Sequence, residues 1–189
     1  VIHAFLLSFI VIFVAELGDK SQLMALAFAT RYKPLPVLIG ISIATAVVHL
    51  ISVVIGAVIG ASLPTDEISI AAAIAFVIFG LWTLRGDELS ESDERRLSQT
   101  SRSVIIAVTT VFFLAELGDK TMLATITLAT REGVFGTWLG STLGMIAADA
   151  LAIVVGRMLG KRIPEKAIRI GASASFFIFA AILFIDAIR

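Results

Sequence analysis

The sequence predicts an all-α integral membrane protein whose six transmembrane helices form two inverted three-helix repeats. Three observations predict it. First, 58% of the 189 residues are hydrophobic and 16% are charged, where soluble domains carry about a quarter charged residues; the mean hydropathy is +1.01. A chain this apolar cannot cover its surface in water. Second, six segments approach or exceed the ~20 apolar residues that a helix needs to cross the ~30 Å hydrocarbon core. Third, the first half overlies the second at a constant offset of 100 residues.

The spans are expected at 3–30, 35–62, 68–85, 103–130, 134–160 and 166–188. Pro34, Pro36, "LPTDE" at 63–67, Gly133 and Pro164 separate them. The first and fourth are long enough to tilt, or to break at Gly18 and Gly118. The stretch "RGDELSESDERRLSQTSR" at 85–102 is the one long polar segment. The expected organisation is therefore a first repeat at 1–85, an acidic linker at 86–102 and a second repeat at 103–189. No cleaved leader is expected, because the first apolar run leads straight into a charged motif. There is no Cys, which excludes disulfides and thiolate metal sites.

The duplication is dense. Nine of sixteen positions are identical between 16–31 and 116–131, and Gly40/Gly140, Gly56/Gly156, Gly60/Gly160 and Pro64/Pro164 coincide. An odd number of spans per repeat inserts the second copy upside down. With the N-terminus outside, eleven Lys and Arg residues lie inside, and Arg131 and Arg189 lie outside. The positive-inside rule thus places both termini outside and the linker in the cytoplasm. Tyr32, Trp82 and Trp138 fall near span ends, as interfacial aromatics do. Gly56/Gly60, Gly136/Gly140, Gly140/Gly144 and Gly156/Gly160 have the spacing for close helix packing.

The functional signal is the phrase "AELGDKS" at 15–21, repeated as "AELGDKT" at 115–121 inside apolar spans. Intramembrane ionisable groups are expensive and mark function. The inverted repeats bring Glu16, Asp19, Glu116 and Asp119 together near the bilayer midplane, where secondary transporters bind their ions. Ser21, Thr121 and Gln22 add neutral oxygens. This hard-oxygen donor set suits Mn2+, Ca2+ or Mg2+, and the lack of Cys and of a His cluster argues against zinc and copper. Four carboxylates less the two lysines, Lys20 and Lys120, give a formal charge of −2, which one divalent cation cancels. Without the cation the crowded acids favour protons, so metal and protons compete for one site. The competing structural reading pairs Glu16 with Lys20 and Glu116 with Lys120 along each helix at the i, i+4 spacing. His49 and Asp149 occupy equivalent repeat positions near mid-membrane. Asp149 reads as a fifth ligand or a proton carrier, His49 as a hydrogen-bonding group or a contributor to charge balance. His3, Asp186 and Arg189 read as interfacial.

The two copies of E-φ-G-D-[KR]-[ST], Glu16 to Ser21 and Glu116 to Thr121, resemble the cation/proton exchanger family that includes transmembrane protein 165 and bacterial manganese exporters. The resemblance implies six helices in two inverted repeats and transport of Mn2+, with Ca2+ as the second candidate, in exchange for protons. It also implies that the acids of both motifs form the cation site. No resident cofactor is expected; the partners are the transported ion, protons and the lipid bilayer, with no nucleic acid. The short N-terminus and brief linker resemble prokaryotic members, which implies the plasma membrane and export. A small-solute exporter of the lysine-exporter type, with acids and lysines as a zwitterion site, and a divalent cation channel are the alternatives. An enzyme is not expected, since no nucleophile sits beside a base.

Overall fold

A computed structural model of the chain describes residues 1–62, 65–85, 104–159 and 165–188. The acidic linker 86–102, and with it Pro64, Gly160 and Pro164, lies outside the described residues. Every described element is helical: α1 (Ile2–Glu16), α2 (Lys20–Arg31), α3 (Pro34–Ser62), α4 (Thr65–Arg85), α5 (Val104–Glu116), α6 (Lys120–Ala129), α7 (Val134–Leu159) and α8 (Glu165–Ala187). Among the described residues, three helices are long and apolar enough to cross a membrane alone, at Pro34–Ser62, Glu67–Arg85 and Val134–Met158. A fourth crossing results if α1 and α2 traverse as one bent pair. The expected span 3–30 is thus broken, and the expected span 103–130 is divided into α5 and α6.

The molecule carries many large apolar residues outside and many polar ones inside. Leu6, Ile10, Val54, Ile74, Ile78, Val154 and Ile182 are exposed, whereas Ser8, Thr45, His49, Thr125, Ser141 and Asp149 are buried. A water-soluble protein cannot support that distribution, and a lipid-facing one requires it. The protein is a multi-pass membrane protein. Some buried hydroxyls are answered within their own helix, Ser52 Oγ donating to Val48 O (2.8 Å) and Thr125 Oγ1 to Thr121 O (2.8 Å). Those of Ser8, Thr83 and Thr137 are buried without a hydrogen bond.

The two halves interlock, and their contacts repeat at the 100-residue offset. α1 packs on α7 as α5 packs on α3, and α2 on α7 as α6 on α3. Positions 45 and 145 touch, with Thr45 Oγ1 3.5 Å from Met145 Sδ. Phe76 and Phe176 also touch, their ring centroids 5.8 Å apart, where α4 lies along α8. The apolar core divides into two clusters. One draws on α2 and α5 through Met24, Phe28, Val108 and Phe112; the other draws on α1 and α6 through Val11, Ile12, Ala124 and Leu128. The charged junctions α1/α2 and α5/α6 therefore fall where the two clusters meet.

Glycine makes the interlock possible. Gly136, Gly140 and Gly144 form a strip on α7 against the α1 backbone, and a Cβ on Gly144 would stand 2.6 Å from Phe9 O. On the equivalent contact, a Cβ on Gly40 would stand 2.7 Å from Val108 Cβ. Gly56 and Gly60 abut α6 at Ala129 and Thr130, as their spacing predicts. Trp138, near the start of α7, also ties that helix to α3, its Nε1 donating to Ala46 O (2.9 Å). Gly140→Val is expected to lower thermal stability in detergent by roughly 1–3 kcal/mol through overpacking against Phe5. Gly171→Ala, where a Cβ meets nothing within 4 Å among the described residues, should not lower that stability.

Candidate cation site

Each charged motif folds as a break between two helices. Gly18 has φ +78° and Gly118 φ +79°, in the left-handed region that other residues enter only with strain. The backbone turns there, and α1 and α2 diverge by 73°. Asp19 and Asp119 follow as N-cap residues of α2 and α6, with extended backbones (φ −80°, ψ 164°; φ −74°, ψ 166°). An N-cap aspartate ordinarily accepts a backbone N–H of its own helix. Neither does so here.

The aspartates instead meet the lysine of the other motif. Lys20 Nζ lies 3.1 Å from Asp119 Oδ1, and Lys120 Nζ donates to Asp19 Oδ1. These pairs differ from the competing structural reading, in which Glu16 pairs with Lys20 and Glu116 with Lys120. The i, i+4 geometry exists only on one continuous helix, and the glycine break puts each glutamate and its lysine on different helices. The Lys120–Asp19 pair is enclosed, with side-chain exposures of 3% and 0%; in the other pair Lys20 is 20% exposed.

The neutral candidates have defined tasks. Ser21 Oγ donates to Asp19 Oδ2 (3.2 Å) and Thr121 Oγ1 to Glu116 Oε2 (3.1 Å). Gln22, expected as an oxygen donor to metal, braces the break: its Oε1 accepts Gly18 N–H (2.8 Å) and its Nε2 donates to Ala148 O on α7 (3.0 Å). Met122 takes the equivalent place, with its Sδ 3.2 Å from Gly118 N, a weaker acceptor than an amide oxygen.

Five buried acids share one electrostatic neighbourhood. Glu16 lies within Coulombic reach of Asp19, Glu116, Asp149 and Lys120, and Glu116 within reach of Asp119, Asp19 and Asp149. Both carboxyl oxygens of Glu16 and of Asp149, Oε1 of Glu116 and Oδ2 of Asp119 are buried without a hydrogen bond. Among the described residues, no three His, Cys, Asp or Glu side chains already form a group that could hold a metal ion. The acids are gathered, but not closed into a ligand shell. His49 stands apart from this set, with its Nδ1 3.5 Å from Thr142 Oγ1. His3 Nδ1 lies 2.9 Å from Glu132 Oε2 near the N-terminus. The crossed pairing and the Ala148 contact were missed in the sequence. The signal available for the first was the duplication itself, since a two-fold arrangement that sets 19 beside 120 also sets 20 beside 119.

The chain matches the family model described as divalent cation/proton antiporter GDT1 over residues 4–91 and 104–189. A candidate manganese exporter of Vibrio cholerae is 32% identical over 169 residues, covering 88% of this chain and 82% of that protein. A GDT1-like protein of Synechocystis is 30% identical over 197 residues, with 95% of each chain covered. The chloroplastic protein PAM71 of Arabidopsis thaliana is 32% identical over 204 residues, covering 93% of this chain and 55% of that protein. No solved structure matches the chain.

A double-mutant cycle tests the crossed pairs. Lys120→Met leaves a buried carboxylate without its ammonium and should cost about 3–5 kcal/mol in denaturant or thermal unfolding. Combining it with Asp19→Asn should recover most of that loss.

Proposed function

The chain belongs to the divalent cation/proton antiporter GDT1 family, and from that membership and its buried acids we propose that it exports Mn2+ from the cell in exchange for protons. Ca2+ is the second candidate substrate. The family is one of transporters, so the protein is a transporter and not an enzyme. The manganese-exporting description of the Vibrio relative supports the choice of ion and direction, and the oxygen-only donor set supports a hard divalent cation.

The observation that carries the reading is the set of buried carboxyl oxygens on Glu16, Glu116, Asp119 and Asp149 that accept no hydrogen bond. An ionised, unpartnered carboxylate in a low-dielectric interior costs several kcal/mol. Such oxygens call for a cation or a proton, and a site that accepts either one is the requirement for exchange. We assign Glu16, Asp19, Glu116 and Asp119 as one shared ligand set, with Ser21 and Thr121 orienting two of the acids. Asp149 is assigned as a proton-carrying neighbour, and His49 to packing between α3 and α7.

The assembly proposed for this chemistry is six crossings in two inverted repeats, 1–85 and 103–189. The first and fourth crossings are the broken pairs α1/α2 and α5/α6. The reciprocal contacts at 45/145 and 76/176 support a two-fold relation, and half-helix ends that meet at an ion site are a recurring transporter device. Rocking one repeat against the other then exposes the acids to each side in turn. The basic bias supports both termini outside and the acidic linker in the cytoplasm of a prokaryotic plasma membrane.

Proteoliposomes loaded with a pH-sensitive dye provide the test. Mn2+ added to one side should drive an opposing proton flux, and an imposed pH gradient should drive Mn2+ movement. Glu16→Gln should reduce Mn2+ transport at least tenfold, because it removes a carboxylate from a shared ligand set. Mn2+ flux without proton flux points to a channel or uniporter, and amino-acid flux indifferent to metal points to a solute exporter. If Asp149→Asn keeps full proton coupling, Asp149 only holds structure.

A further inference from the structure

The aspartates of the proposed site already hold cations. Asp19 binds the ammonium of Lys120, and Asp119 that of Lys20. Each pair joins the motif of one half to the motif of the other. Together the two lysines bring +2, the charge of one divalent cation. A divalent ion that uses both aspartates must therefore move both ammonium groups or share the carboxylates with them.

We propose that Lys20 and Lys120 are tethered stand-in cations. They occupy Asp119 and Asp19 while no metal is bound, tie the two halves together, and are displaced when the metal enters. This rests on the reading that the four motif acids take a divalent cation. The lysines are then the groups that compete with that cation for the aspartates.

Three observations carry the inference. The pairing is crossed rather than local, so its loss removes a tie between the two halves, whereas loss of an intrahelical pair would not. The released ammonium is not stranded: Lys120 acts on Glu16, and Lys20 lies within reach of Glu116. A carboxylate has two oxygens, and one can hold an ammonium while the other binds metal. Finally, carboxyl oxygens of Glu16, Glu116 and Asp119 remain without hydrogen bonds beside the pairs. The lysines thus neutralise the site without saturating it, and room for metal ligation remains.

A tethered competitor lowers apparent affinity by the fraction of sites it keeps closed. Mn2+ binding to the purified full chain, followed by the electron paramagnetic resonance of free Mn2+, measures this directly. Lys120→Gln should bind Mn2+ about tenfold more tightly than the unsubstituted protein, a coupling of ordinary size. Lys120→Arg, which keeps the charge, should bind no more tightly. Mn2+ should also raise the melting temperature of Lys120→Gln by more than it raises that of the unsubstituted protein. If Lys120→Gln does not fold, Lys20→Gln, at the partly exposed lysine, must show the same tightening. Unsubstituted protein that binds Mn2+ while both foldable Gln variants bind equally or more weakly overturns the inference and leaves the cation site standing. Absence of Mn2+ and Ca2+ binding in every form overturns both.

Discussion

Charge buried in an apolar protein has to be answered nearby, and here the answer to each motif comes from the other half of the chain. Lys120 reaches Asp19 and Lys20 reaches Asp119. Neither half could bury its own motif in this arrangement, since each would carry an aspartate into the interior without the ammonium that neutralises it. The penalty for an unanswered buried ion is several kcal/mol, comparable with much of a domain's net stability. The interlock of the two halves is thus an electrostatic necessity as well as a packing result.

The rest of the fold serves that meeting. Gly18 and Gly118 end α1 and α5 and let Asp19 and Asp119 stand at new helix starts with their side chains directed across the interface. The glycine strip on α7 draws α1 close, and Gly40 does the same for α5 on α3. Apolar clusters from α2/α5 and α1/α6 lie on the flanks of the charged junction. Site and scaffold share one pattern of contacts, written once and used twice. The copies are not identical, because Gln22 ties its break to α7 where Met122 offers only sulfur to its own. His49 and Asp149 likewise diverge at one repeat position: one meets Thr142, and the other keeps both carboxyl oxygens without a hydrogen bond.

Much of this was legible in the sequence for a definite physical reason. A constant offset and alternating apolar and breaker segments are one-dimensional facts, so helical class, the duplication and the two motifs could be read directly. The breaks at Gly18 and Gly118 were foreseeable as one of two options, because glycine permits the left-handed turn but does not demand it. Partner choice was not legible. The Glu-x-x-x-Lys spacing favours an intrahelical pair, and only the break, which separates Glu16 from Lys20, cancels that preference. Gln22 was read as a ligand because an amide oxygen is chemically suited to the task. Its use as a brace depends on where Ala148 lies, 126 positions away. The number of crossings does not follow from length alone, since a broken helix does not announce which side it returns to.

In the proposed exchange, both motifs serve one ion. Anomalous diffraction at the manganese edge from crystals grown with Mn2+ tests it most directly. The account predicts a single manganese peak per chain, within bonding distance of carboxylates from both motifs, with Lys20 and Lys120 withdrawn from the aspartate oxygens they hold here. Two separate peaks, each bound by one motif alone, or one peak remote from Glu16, Asp19, Glu116 and Asp119, would contradict it.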